Sequence, residues 1–344
     1  MKMIRLGLIG CGRISKNHFE SIKQIEEAQF VTCCDIIEER AKEAKEKYNL
    51  DSYYTDYNEM LDNEELDAVA ICTPSGMHPE VGIEVAKRGF HVITEKPMGI
   101  CIKDADALIK ACDKYKVHLF VVKQNRLNAT MQLLKNAVDK GRFGKIYMIQ
   151  SNVFWTRPQS YYDMAKWRGT WEFDGGAFMN QASHYVDAMY WLIGNVDSVM
   201  AETATMARDI EAEDTGSVII KFRNGVIGTM NVTMLTYPKN FEGSITILGE
   251  KGTVKIGGVA INKIEKWDFE DYDDDDKLVE DASYSTTSVY GFGHIPYYIN
   301  VINVLLGKCE PSTDGRCGRK SLEIIQALYK SAKTGEKVSL PLNI

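Results

Sequence analysis

The sequence predicts an α/β fold in two domains: first a doubly wound parallel sheet, then an α+β domain with a large open, mainly antiparallel sheet. Three observations carry this reading. Through residue 123, apolar runs of strand length alternate with stretches of helical period, the pattern of a parallel sheet covered on both faces. The first run ends in a Gly-x-Gly turn, and the second ends in an acid. Beyond residue 124 strands dominate, and Asn224-Gly225 marks a tight hairpin between two of them. The expected domains are therefore 1–123 and 124–344.

The elements follow in order. Residues 3–9 form a nearly continuous apolar run, as a strand buried on both faces requires. A helix to about residue 25 places Ile14, His18, Ile22 and Ile25 on one stripe. Then come a strand at 30–34, a charged helix at 38–48, a short strand near 52 and a strand at 68–72. A helix at 80–88, a strand at 91–94, a helix at 104–115 and a strand at 118–122 complete the first half. Asn128 is expected to cap a helix running to about 140, ended by Gly141. Strands are expected at 145–154, 196–206, 215–222, 226–235, 243–248 and 253–256. In the fourth of these, Val226, Met230, Val232 and Met234 alternate with Thr229, Asn231 and Thr233, the mark of a half-buried antiparallel strand. An open sheet of this kind leaves a face that needs a partner, so homo-oligomerisation through it is expected. Residues 268–276 are acidic and read as a solvated loop, without the ordered ligand spacing of a calcium site. Residues 319–333 read as an amphipathic helix.

Composition narrows the function. At 344 residues, 44% hydrophobic and 26% charged, the chain is an ordinary globular protein. Its 48 acids against 41 bases disfavour a nucleic-acid binder. No run approaches the roughly 18 apolar residues of a membrane span. Residues 4–9 lead straight into glycines and read as a strand, not a signal peptide, so a cytoplasmic location is expected. The eight cysteines contain no Cys-x-x-Cys pair, which disfavours zinc and a disulfide framework. No metal is expected.

The chemistry begins at Gly10-x-Gly12-Arg13-Ile14-Ser15, with Asp35 placed 23 residues after Gly12. The first glycine makes a tight turn, and the second lets the backbone approach a pyrophosphate held at a helix N-terminus. Strand before, helix after and acid at the next strand's end are the context that makes this a Rossmann fingerprint. Serine at the third position departs from glycine but is still small. Asp35 suits ribose hydroxyls and repels a 2′-phosphate, favouring NAD over NADP. Ligands in such sheets lie at the carboxyl ends of the strands. Three of those ends are polar: Thr73-Pro74-Ser75, Glu95-Lys96-Pro97 and Lys123-Gln124-Asn125-Arg126. A second cluster lies in residues 173–187, where Gly175-Gly176 leads into Asn180, Gln181, His184 and Asp187. If helical, that segment places Asn180, His184 and Asp187 on one face.

With these residues assembled, the chain resembles the GFO/IDH/MocA oxidoreductase family over essentially its whole length. The general marks are Gly10-Cys11-Gly12, Glu95-Lys96-Pro97, and His184 followed three residues later by Asp187. Closer marks resemble its sugar-nucleotide 3-dehydrogenase branch: Phe154-Trp155-Thr156-Arg157-Pro158, Trp167-Arg168-Gly169-Thr170-Trp171, Asp174-Gly175-Gly176-Ala177-Phe178-Met179-Asn180-Gln181 and Asn231-Val232-Thr233-Met234. The resemblance implies NAD-dependent oxidation of the 3-hydroxyl of UDP-N-acetyl-2-amino-2-deoxyglucuronate, for surface polysaccharide synthesis. It also implies a homotetramer and, in some members, reoxidation of bound NADH by 2-oxoglutarate. The cofactor set it implies is Gly10, Gly12, Arg13, Ile14, Asp35, Thr73, Ser75, His78, Glu95, Lys96, Gln124, Trp167 and Arg168. For the substrate it implies Lys96, Arg157, Asn180, Gln181, His184 and Lys239. Many family members carry Asp four residues before the histidine. Asn180 stands there in this chain, which puts a simple Asp-His dyad in question.

Alcohol oxidation needs a base, and Lys96 and His184 are the two catalytic candidates. Histidine's ordinary pKa of about 6.5 suits the task, whereas lysine must fall by about three units, roughly 4–5 kcal/mol. His184 is therefore assigned as base, with Lys96 holding and polarising the substrate oxygen; the reversed assignment stays open. His18, His91 and His118 read as packing or solvated residues, and His294 as a weaker site candidate. Two other functions remain: oxidation of UDP-N-acetylglucosamine, and non-catalytic NAD sensing on the same fold. Retention of both Lys96 and His184 weighs against the second.

Overall fold

The computed structural model describes residues 3–286 and 291–343. They form two compact units, Met1–Lys123 with His294–Arg319 and Gln124–Gly293 with Lys320–Ile344. The return of His294–Arg319 to the first unit is not provided for by a single cut between 123 and 124.

In the first unit, β1 (Ile4–Ile9), α1 (Ser15–Ile22), β2 (Ala28–Cys34), α2 (Glu38–Tyr48), β3 (Ser52–Tyr54) and α3 (Tyr57–Asn63) make the first half of the winding. β4 (Ala68–Ile71), α4 (His78–Lys87), β5 (His91–Thr94), α5 (Ile102–Tyr115) and β6 (Leu119–Val121) make the second. The strands run in the order β3-β2-β1-β4-β5-β6, all parallel. The winding reverses between β1 and β4, and that switch point is where open α/β sheets bind ligands. Leu6, Leu8, Val69, Ala70, Val92 and Ile93 are buried, as strands covered on both faces demand.

Two local differences from the sequence reading have plain causes. α1 stops at Ile22, and Ile25 stays buried from a following turn, not from a continued helix. α3 was not anticipated. It buries only Met60 and Leu61 and is set by Asp56, whose side chain accepts from Asn58 N at 2.7 Å, so it carries too little periodicity to read.

The second unit opens with α6 (Ala129–Asp139), β7 (Ile146–Phe154), α7 (Gln159–Asp163) and α8 (Ser183–Ile193). Strands β8 (Val196–Ala204), β9 (Thr215–Phe222), β10 (Ile227–Thr233), β11 (Glu242–Gly249), β12 (Gly252–Gly257) and β13 (Lys263–Phe269) follow, then α9 (Val279–Ala282). The chain closes through α10 (His294–Leu305) of the first unit, α11 (Gly315–Thr334) and β14 (Val338–Ser339). The eight-stranded sheet runs β13-β12-β11-β7-β10-β9-β8-β14. Its one parallel pair among the described residues is β7 with β10. The β9–β10 hairpin turns through three residues, Arg223-Asn224-Gly225, with Gly225 at φ +90°, one residue longer than the expected two-residue turn.

One sheet face is the core: Ile149, Val153, Val218, Ile220, Met230, Val232, Ile245 and Ile247 are all buried. On the other face Met148 pairs with Ile227 and Leu248, and Met200 with Ile219, all exposed.

Asn128 precedes α6 but makes no side-chain cap. The acidic run is more ordered than a solvated loop. Asp268 lies on β13, and Asp273 caps a short 3-10 turn at Asp274–Leu278. Lys140 reaches Asp273 at 2.7 Å and Asp275 at 2.8 Å, while Arg142 reaches Asp276 at 2.6 Å. The Arg142 guanidinium holds the Asp276 carboxyl down at about 2. Acids gather there because the end of α6 supplies the cations.

α8 is fixed by a buried, bidentate ion pair. Arg126 Nε is 2.7 Å from Asp187 Oδ2, and Nη2 is 2.9 Å from Oδ1. Arg126 also lies over the Trp191 ring, 5.4 Å from its centroid. Removing one member of such a pair leaves the other charge buried. Asp187→Ala is expected to cost about 3–5 kcal/mol of stability, measured by urea unfolding of the full chain.

Candidate active site

The dinucleotide turn is built by β1, its glycines and Asp35. Gly10 sits at φ +96°, and a Cβ there would lie 2.7 Å from the Cys72 carbonyl, so only glycine fits. At Gly12 a Cβ would meet nothing within 4 Å. The protein's own packing leaves this position open, which suits close approach of a pyrophosphate to the backbone. Asp35 is buried with its carboxylate fixed: Oδ2 accepts Cys11 N–H at 2.8 Å, and Oδ1 accepts Ile37 N–H at 2.9 Å. Each oxygen keeps a further lone pair for a ribose hydroxyl. Ser15 Oγ donates to Gly12 O at 2.7 Å, which tightens the start of α1. No acid occupies the first turn of α1, so its amide end is left for an anion. Arg13 is exposed and Ile14 half-buried at this turn. The residues present fit NAD.

At the carboxyl ends of β4 and β5, Thr73 and Ser75 lie near His78, and Lys96 follows Glu95. His78 is buried and bridges the two strand ends, with Nδ1 2.7 Å from Pro97 O and Nε2 2.9 Å from Thr73 O. Burial pushes its pKa down. The Lys96–Pro97 bond is cis. Lys96 is half-buried, and its N–H donates to Glu95 Oε2 at 3.0 Å. Glu95, expected at the cofactor, is 5% exposed and turns its carboxylate inward to His18.

In the second unit, α8 carries buried His184 one turn from Asp187. Gln124 Nε2 lies 3.1 Å from His184 Nε2, so the amide engages that ring nitrogen. The turn Gln124–Leu127 thus meets α8 twice, through Gln124 and through Arg126. Asn180 is not on the helical face expected for it. α8 starts at Ser183, and Asn180 lies in the preceding turn, its N–H donating to Gly176 O at 2.9 Å. Its side-chain amide donates to Asp174 Oδ1, while Asp174 Oδ2 accepts Gly169 N–H at 2.8 Å. A carboxylate is therefore present beside Asn180, supplied from six residues earlier. Gln181 is buried beside it in sequence.

Arg157 and Arg168 share the ring of Tyr161, at 5.3 Å and 4.4 Å from its centroid. Arg157 also lies over Trp155 and Arg168 over Trp167. Arg168 Nη1 donates to Tyr161 Oη at 2.6 Å. Arg157 Nη1 reaches Asn240 Oδ1 at 3.3 Å, next in the chain to exposed Lys239. These contacts bring the two arginines together and tie Arg157 to the Lys239 loop. Tyr161, Asn240 and Asp174 were not singled out from sequence; Asp174 stood inside the Asp-Gly-Gly signal.

Beneath the glycine pair lies a further group with no sequence signal, Glu213. Its Oε1 accepts Phe178 N–H and Tyr329 Oη–H, both at 2.9 Å. A Cβ on Gly176 would fall 1.5 Å from Glu213 Oε2, so this glycine is required by the acid under it.

Comparison with known proteins gives three findings. Residues 4–123 match the oxidoreductase-family NAD-binding Rossmann fold, and residues 135–340 match its C-terminal alpha/beta domain. The WlbA dehydrogenase of Bordetella pertussis, solved with NADH and UDP-GlcNAcA, is 56% identical over 99% of both chains, with a TM-score of 0.96. The WlbA dehydrogenase of Chromobacterium violaceum, solved with the same two ligands, is 55% identical over 100% of this chain and 98% of the other, with a TM-score of 0.95. More distantly, myo-inositol 2-dehydrogenase of Thermotoga maritima is 29% identical over 73% of this chain and 74% of its own.

Burial pushes the Glu213 carboxyl up to about 7 from its ordinary 4.5, against the hydrogen bonds that favour its charge. Such a group binds its proton more tightly when folded. Its stabilisation is complete below the unfolded value and is lost as pH rises toward 7. Between pH 5 and 8 the chain is expected to lose about 2–3 kcal/mol more stability than Glu213→Gln does. Denaturant midpoints of the two proteins across that range measure the difference.

Proposed function

The chain belongs to the GFO/IDH/MocA oxidoreductase family, and we propose that it oxidises the 3-hydroxyl of UDP-N-acetyl-2-amino-2-deoxy-D-glucuronate, UDP-GlcNAcA, to the ketone with NAD. The observation that carries this reading is full-length similarity, at 56% and 55% identity, to two dehydrogenases solved with NADH and UDP-GlcNAcA. The product is a 3-keto nucleotide sugar of the kind used in surface polysaccharide synthesis.

His184 takes the hydroxyl proton. Lys96 hydrogen-bonds the same oxygen as an ammonium and stabilises the alkoxide that develops. When bound, the nicotinamide supplies the acceptor for the hydride leaving C3. Gly10, Gly12, Arg13, Ile14 and Asp35 hold the adenosine and pyrophosphate portion, and Thr73, Ser75, His78, Gln124, Trp167 and Arg168 complete the cofactor set. Arg157, Arg168 and Lys239 offset the charge of the diphosphate and the uronate, whereas UDP-N-acetylglucosamine would leave one of those cations without a carboxylate. Asn180 and Gln181 read sugar hydroxyls and the acetamide. Asp174 supports Asn180 in that role, because its acceptor oxygen orients the amide.

Purified protein with NAD and a panel of UDP-sugars tests the substrate, followed at the NADH absorbance with and without 2-oxoglutarate. UDP-GlcNAcA is expected to respond far better than UDP-N-acetylglucosamine, and 2-oxoglutarate to restore turnover where NADH stays bound. His184→Asn is expected to lose about 10²- to 10⁴-fold in kcat. Silence toward every UDP-sugar under both conditions would sink the assignment.

The exposed sheet face bearing Met148, Met200, Ile219, Ile227 and Leu248 supports self-association through it, to a homotetramer. Sedimentation equilibrium is expected to give four times the 38.8 kDa chain mass. A monomer at all concentrations would overturn this.

A further inference from the structure

The roles above use Lys96 but leave unused a buried polar cluster in the same unit. Glu95 Oε1 lies 3.1 Å from His18 Nε2 and 3.9 Å from His294 Nε2. His18 Nδ1 lies 2.6 Å from Tyr298 Oη. Oε2, the other carboxylate oxygen, accepts the Lys96 N–H at 3.0 Å. α1 and α10 therefore each bring a histidine to the one carboxylate that follows β5, and that carboxylate is bonded to the backbone of the residue that meets the substrate.

Burial opposes charge on Glu95, but His18 and His294 hold its carboxyl well below the usual range, so it stays an anion. A buried charge network of this kind is a poor way to gain stability, since apolar groups of similar volume do as well. Its use must lie in what it orients. The Lys96 segment is fixed on its far side too, where His78 Nδ1 contacts the carbonyl of Pro97. The titratable groups facing Glu95 are His18 on α1, Cys72 after β4, and His294, Tyr297 and Tyr298 on α10. His78 on α4 faces both Glu95 and Lys96.

We propose that Glu95, clamped by His18 and His294, is a positioning residue for Lys96: it pins the lysine's backbone N–H and keeps its side chain an ammonium directed at the substrate oxygen. A fixed anion one residue away favours the charged lysine over the neutral one. This arrangement makes Lys96 the polarising group and leaves His184 as base. The inference rests on the reading of Lys96 given above.

The test uses the full chain with NAD and UDP-GlcNAcA, comparing Glu95→Gln, His294→Asn and Lys96→Ala. Glu95→Gln is expected to bind NADH within about threefold of wild type by fluorescence while kcat falls at least about tenfold. Removing the anion lowers the lysine's pKa, so the alkaline limb of the kcat profile is expected to move down by about one unit. His294→Asn is expected to move both readouts in the same direction by less, and it carries the test if Glu95→Gln does not fold. An unchanged alkaline limb with wild-type kcat overturns the proposal. So does a loss of NADH affinity parallel to the loss in kcat, which would make Glu95 a cofactor residue. A stoichiometric metal retained by the wild type and released with activity in His294→Asn would also overturn it, since the three side chains would then be ligands. Lys96→Ala separates the two readings: wild-type turnover there defeats the role of Lys96 itself, whereas its loss beside an active Glu95→Gln defeats only the positioning.

Discussion

The ion pair between Arg126 and Asp187 fixes the helix that carries the candidate base. Both side chains are buried, and their two parallel hydrogen bonds fix the separation and the rotation of α8 against the turn Gln124–Leu127. His184 lies on the same helix one turn before Asp187, and Gln124 lies two residues before Arg126. The contact between Gln124 and His184 is therefore set by the ion pair as well as by its own geometry. A base that must meet a substrate proton within hydrogen-bond reach gains from such a support.

Two other buried acids show how environment assigns opposite states to one functional group. Glu95 is surrounded by imidazoles and an amide, and it stays ionised despite burial. Glu213 has a phenol, an amide and nearby Asp174, and burial wins, lifting its carboxyl to about 7. Glu95 braces the backbone of Lys96, and Glu213 supports the glycine turn before α8. In each unit a residue with a proposed chemical role thus stands over a polar group that makes no direct claim on the substrate.

Local signals were readable because one stretch of chain contains them whole. Gly10, Gly12 and Asp35 belong to one βαβ unit, and the structure gives Gly10 and Asp35 a geometric reason. Asn224-Gly225 does mark the β9–β10 hairpin, but Phe222 pairs with Val226, so the loop has three residues with Gly225 alone at positive φ. Short elements were not readable: α3 buries two side chains, and the 3-10 turn at Asp274–Leu278 lies in an acidic run whose partners, Lys140 and Arg142, are more than a hundred residues away in sequence. Asn180 was placed on a helix by its spacing from His184, but Gly176 passes over Glu213 and the helix begins only at Ser183.

The sequence by itself determined the fold class and the dinucleotide turn and singled out Lys96 and His184 as candidates, because strand period, glycine stereochemistry and side-chain type are local properties. Only the tertiary structure decided what holds those residues. His18 and Tyr298 are 280 positions apart and Arg126 and Asp187 are 61 apart, yet each pair is in direct contact. Nothing in the spacing of such residues marks them as partners. Burial decides it, because a polar group removed from water must find its hydrogen bonds wherever the fold brings a donor or acceptor within reach.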